Sequence, residues 1–188
     1  MKPVILWLKI LCLFIYAIIA VGGITRLTHS GLSIVRWQPI SGILPPLTET
    51  AWQEAFAEYR QFPEFQKLNS GMQLGEFKPI YFWEYLHRLL GRLLGMVFIL
   101  PWLYFLLQKK IGRRLAYKTL IGFALGGLQG LMGWTMVKSG LVDNPFVSHY
   151  RLAAHLLLST FILSYFTWII LDLSCSQRNE VRKNNKIL

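Results

Sequence analysis

"IYFWEYLHRLLGRLLGMVFILPWLYFLL", residues 80–107, is long and apolar enough to cross a bilayer, yet it carries Glu84, His87, Arg88 and Arg92 near its start. A span needs ~20 predominantly apolar residues, so charge inside one wants a reason. Three comparable blocks lie elsewhere, at about 4–24, 117–137 and 148–173. Hydrocarbon cannot satisfy an open strand edge, so all four are read as helices. The fold class that follows is an all-α integral membrane protein. It is a four-transmembrane-helix bundle with a long loop at 25–79, and all of 1–188 forms one domain.

Composition agrees. Of 188 residues 54% are hydrophobic, and the mean hydropathy is +0.41. The net charge of +11 sits in short basic stretches flanking apolar blocks, which argues for membrane topology and against a nucleic-acid partner. "QKKIGRRLAYK" (108–118) and the tail cations Arg178, Arg182, Lys183 and Lys186 are expected on the cytoplasmic side. Both termini then face the cytoplasm of a bacterial inner membrane or its equivalent, with loop 25–79 outside. Block one has no clear small-residue cleavage site and reads as a retained span. Cys12 and Cys175 are far apart and lie in or beside apolar blocks, so they read as small hydrophobes.

The long loop has a pattern of its own. "TETAWQEAFAEYRQF" (48–62) puts Trp52, Ala55, Phe56, Tyr59 and Phe62 on one helical face, with Glu54, Glu58 and Arg60 opposite. Thr50 and Gln53 have capping-box spacing, and Pro45–Pro46 and Pro63 bound the element. An amphipathic helix is expected, either a plain surface helix or a lid over a site below. In block three, Gly122, Gly126 and Gly130 recur at four-residue spacing, which predicts a close helix contact.

Depth singles out two histidines. His87 and His155 each lie seven residues into their blocks, which puts both ~10 Å below the same membrane face. A lone membrane histidine reads as a hydrogen-bonded packing residue. Two at equal depth on separate helices read as a ligand pair in a bundle core. Zinc wants more ligands than the sequence places there. Haem iron needs only axial imidazoles. Glu84, His87, Gly91 and Gly95 share a face, and the glycines leave a groove for a planar macrocycle. Arg151, His155 and Ser159 line up likewise on block four. Arg88, Arg92 and Arg151 suit haem carboxylates, or alternatively snorkel to headgroups. Glu84 reads as a proton-exchanging carboxylate, or as half of an i,i+4 salt bridge with Arg88. His29 and His149 read as edge or loop residues.

At these positions the chain resembles a known family. "GGITRLTHSGLSIVRWQPISGILPP" (22–46), "FWEYLHRLLGR" (82–92), "LQGLMGWTMVKSGL" (128–141) and "VSHYRLAAHLLL" (147–158) are similar to haem A synthase, the Cox15/CtaA family. The resemblance implies an oxidoreductase that converts the C8 methyl of haem O to a formyl group, giving haem A for terminal oxidases. It implies His87 and His155 as axial ligands of the substrate haem O, and Glu84 as catalytic acid/base. Haem O synthase is the implied partner upstream. Family members have two four-helix halves, the second holding haem b, and the motifs here match the first. The chain is therefore expected to be a fragment, a compact form that pairs with itself as a homo-oligomer, or one of two separately encoded halves. The cysteine pair that some members carry outside the membrane has no counterpart in 25–79. The rival readings are a non-catalytic b-type haem electron-transfer subunit and a haem-free assembly scaffold.

Overall fold

The computed structural model describes residues 1–37, 41–142 and 145–184, with side chains for all of these except 41 and 180–184. Among the described residues the regular structure is helical: α1 (Lys2–Leu27), α2 (Glu49–Tyr59), α3 (Pro63–Leu68), α4 (Leu74–Leu107), α5 (Arg113–Gly140) and α6 (His149–Asn184), with a 3-10 turn at Ser41–Ile43. Four of these, α1, α4, α5 and α6, are long and apolar enough to cross a membrane. The expected tail cations Arg182, Lys183 and Lys186 lie outside the described side chains.

Local chemistry moved several boundaries. α4 begins six residues before the expected 80, because Gln73 and Glu76 form a capping box in which the Gln73 amide donates to Glu76 Oε2 at 2.8 Å. The predicted capping box at Thr50 and Gln53 does not form. The cap of α2 is Thr48, whose hydroxyl accepts from the Ala51 amide at 3.2 Å. Pro63 does not simply end that segment; it opens α3 from the first helical position. α1 ends at Leu27, and Ser30 N donates to Thr25 O while His29 N donates to Arg26 O. That is a Schellman cap, and His29, at φ 53°, occupies the left-handed position. Lys109, at φ 54°, plays the same part after α4, with Lys110 N donating to Phe105 O.

α1 packs against both α4 and α6, and α5 packs against α6 and more thinly against α4. α4 and α6 therefore stand diagonally across the bundle. The apolar core fills the end away from loop 28–73. It joins Val4, Leu8, Leu11 and Ile15 of α1, Phe98 and Phe105 of α4, Leu115 of α5, and Ile162, Phe166 and Ile169 of α6. Phe98 stacks on Phe123 at 4.6 Å and meets Trp7 at 5.5 Å and Phe166 at 6.2 Å. Outward-facing Leu13, Leu100, Leu157 and Leu171 are exposed, as a lipid-facing surface requires. Above the opposite end, a second cluster gathers Tyr59, Phe65 and Phe77 with Trp52 and Phe56, docking α2 and α3 on the first turns of α4. This end is called the lobe end below.

Candidate functional site

The level of the two histidines follows from register. His87 and Phe98 are eleven residues apart on α4, and His155 and Phe166 are eleven apart on α6. Phe98 and Phe166 touch, and both helices run away from the lobe end. At 1.5 Å per residue each histidine lies about 16 Å from that shared contact. The pair therefore sits at one height on diagonal helices.

Glycines give both rings their room. A Cβ built on Gly22 of α1 would lie 3.0 Å from His87 Nε2, and one on Gly133 of α5 would lie 3.1 Å from His155 Cε1. In this arrangement the His87 ring is turned toward α1, so it must rotate for Nε2 to reach the bundle axis. The glycine stripe of α5 departs from expectation. Gly122 is a close helix contact, since an added Cβ would fall 2.4 Å from Phe166 Cζ. Gly126 and Gly130 meet no atom within 4 Å of such a Cβ. Thr119 and Phe123 of α5 meet α4 through Trp102 and Phe98, whereas Gly122 and Gly133 meet α6. At about 100° per residue, Gly126 and Gly130 fall between those directions and point into the bundle. The wall below the histidines is thus bare backbone on α5, and the aromatic contact of Phe98, Phe123 and Phe166 is its floor.

The roof is a strap, residues 28–37, rather than α2. Glu84, 3% exposed, anchors it. Its Oε2 accepts from Ser33 Oγ at 2.8 Å and Ile34 N at 2.7 Å. Its Oε1 accepts from Arg88 Nε at 3.0 Å and Nη2 at 2.7 Å. Arg88 also donates to Ile34 O at 2.7 Å and Arg36 O at 3.1 Å. The strap then reaches α5, where Leu32 packs on Gly140 and Trp37 meets Trp134 at 6.3 Å. The predicted i,i+4 pair of Glu84 and Arg88 is present, and Arg88 spends its donors on the strap. Arg92 is half-buried one turn further along α4. Arg151 is exposed, with Nη1 donating to Thr135 O at 3.1 Å. His149 and His29 are exposed and outside the site.

Sequence reading passed over Gly22, Gly133, Gln129 and the strap. Gln129 had a visible signal, a lone amide in an apolar stretch. Its Nε2 donates to His155 O at 2.9 Å. No cluster of three or more His, Cys, Asp or Glu suited to a metal ion occurs among the described residues; a two-imidazole site falls below that number. In the lobe, burial pushes the Glu64 carboxyl up to about 7, with a hydrogen bond from Tyr59 working against it and the charge of Glu84 adding to it. Burial likewise raises the Tyr59 phenol.

The chain matches the family model for COX15-CtaA, described as cytochrome oxidase assembly protein, over residues 5–188. It is 55% identical to "Heme A synthase" of Nitrosospira multiformis over 172 residues, 92% of this chain and 48% of that protein. It is 50% identical to "Heme A synthase" of Paramagnetospirillum magneticum over 182 residues, 97% of this chain and 51% of that one. Against "Heme A synthase" of Flavobacterium johnsoniae the identity is 47% over 189 residues, covering 100% of this chain and 54% of the other. The chain spans about half the length of these curated relatives. No solved structure matches it.

Proposed function

We take as premise that this chain belongs to the COX15-CtaA family of cytochrome oxidase assembly proteins, and we propose that it holds haem O between α4 and α6 for oxidation of the C8 methyl to a formyl group. The observation that carries this reading is the equal register of His87 and His155 above one aromatic contact, on helices that face each other diagonally. The residues fit such a group. His87 and His155 stand on diagonally facing helices, the His87 ring turning from its packing on Gly22 to take up the site, Gly126 and Gly130 leave the wall flat, and His155 Nδ1 is buried with no hydrogen-bond partner.

Bound haem iron supplies the redox chemistry, while the chain supplies position and electrostatics. The net change is R–CH3 + H2O → R–CHO + 4H+ + 4e−, so protons must leave and electrons need an acceptor. In the proposal a second, haem b-bearing half or another copy of the chain takes the electrons. Glu84 handles protons. Its Oε1 stays paired with Arg88, and its Oε2 is freed when Ser33 and Ile34 let go, so strap movement and proton transfer are linked. In the proposal Arg92 and Arg151 receive the haem carboxylates. Basic residues 109–118 lie at the end away from the lobe, and the proposed topology puts that end in the cytoplasm.

A b-type electron-transfer module is the second reading. It is favoured by one observation, that both Glu84 oxygens are already fully engaged. The test is co-expression with a haem O source, followed by a visible spectrum and chromatography of extracted pigment. A synthase gives a Soret band and haem A, and Glu84→Ala keeps the band while losing haem A. Haem without haem A in the parent, and unaltered redox behaviour in Glu84→Ala, selects the electron carrier. A chain without a Soret band from haem-replete cells, or His87→Ala and His155→Ala variants with unchanged spectra, overturns both.

A further inference from the structure

We infer that Gln129 is the positioning residue for His155: its side-chain oxygen takes the proton on His155 Nδ1 and so presents Nε2 to iron. This rests on the proposed role of His155 as an axial ligand. Two observations carry it. Gln129 Nε2 already donates to the backbone oxygen of His155 at 2.9 Å, so the amide of α5 is clamped to that very residue of α6. Gln129 Oε1 and His155 Nδ1 are each buried without a hydrogen-bond partner. One is an acceptor lacking a donor, and the other is a ring nitrogen lacking any partner, at the same joint between two helices.

The chemistry leaves little choice of proton position. A neutral imidazole has one N–H and one lone pair. With the proton on Nε2, the Nδ1 lone pair and the amide oxygen would be two buried acceptors, each without a donor. With the proton on Nδ1, the two groups are complementary, donor to acceptor, and the Nε2 lone pair is free. The amide orientation is fixed by the same logic, since the amide atom that faces His155 O must be a donor and only Nε2 is one. Gly133, one turn along α5, leaves space for the ring at this joint. Histidines bound to metals regularly donate their other N–H to such an oxygen, which sets the tautomer and strengthens the ligand.

The test compares Gln129→Leu and Gln129→Glu in the full chain, purified with haem bound, by redox titration and electron paramagnetic resonance. Leu removes the acceptor. It is expected to raise the midpoint potential and weaken haem retention about 10- to 100-fold, the usual effect of losing such a partner. Glu is a stronger acceptor and is expected to lower the potential with haem retained. Potentials unmoved in both variants, or moved in one direction by both, overturn the inference, because a packing role has no sign. Should the Leu variant not accumulate, Glu alone decides, and a potential at or above the parent's refutes it. Unchanged haem ligation in His155→Ala sinks the ligand reading instead, whatever Gln129 does.

Discussion

Replacing Glu84 by alanine tests the strap most directly. The carboxylate accepts four hydrogen bonds, two from strap residues Ser33 and Ile34 and two from Arg88. Alanine leaves the Arg88 guanidinium, with its side chain only 14% exposed, without a counter-charge and held by the carbonyls of Ile34 and Arg36. Breaking a buried pair by removing one partner costs about 3–5 kcal/mol. The residual carbonyl bonds place this case at the low end, about 3 kcal/mol. At 1.4 kcal/mol per tenfold, the strap should open on the order of 10²-fold more often. Hydrogen exchange of the 28–37 peptide reads this, because the Ser30, Ser33 and Ile34 amides are bonded in the closed form. The Glu84→Ala, Arg88→Leu double variant should recover part of the protection, since it leaves no uncompensated charge. Parental exchange rates in Glu84→Ala would refute the claim that this carboxylate holds the roof.

Other outcomes follow from single contacts. Gly133→Ala pushes on His155 at 3.1 Å and should weaken haem retention in a spectral titration while leaving helix content unchanged by circular dichroism. Gly122→Ala drives a methyl into Phe166 at 2.4 Å and should destabilise the bundle by about 1–3 kcal/mol, read by thermal unfolding in detergent. The Glu64 carboxyl is raised from its unfolded range to about 7 by burial, so the folded lobe binds the extra proton. Lobe stability should fall as pH rises from about 4.5 through 7, and Glu64→Gln should abolish that slope in limited proteolysis of 49–73.

The spans, the amphipathic α2 and the histidine pair were legible in the sequence because each rests on a one-dimensional rule of length, period or depth. Helix neighbours were not. In a soluble bundle the apolar stripe says which way a helix faces. Here Leu13 faces lipid and Leu11 faces the core, and their chemistry is the same. Nothing along the chain said that α1 would lie between α4 and α6, so Gly22 could not be matched to His87. Gly126 and Gly130 of α5 were misread for the same reason. Spacing says that small residues share a face, but not whether a helix or a cavity stands opposite. The strap was hidden because its anchors, Ser33 and the Ile34 backbone, are ordinary residues made specific by a carboxylate some fifty positions on.

The division of the bundle is itself an argument for function. The end away from the lobe is built for stability, with interlocked aromatics and α1 packed against both α4 and α6. The lobe end buries Thr25, Ser30, Ser33, Glu84 and Ser159, and it lines α5 with glycine. Polar burial and missing side chains lower stability unless something else is gained. What the arrangement gains is register. Phe98 and Phe166 fix α4 and α6 against each other, and eleven residues before that contact each helix presents its imidazole. A one-residue slip of α6 would turn His155 by about 100° and drop it about 1.5 Å, breaking at once the level shared with His87, the Gly133 contact and the Gln129 bond. These features agree on one register.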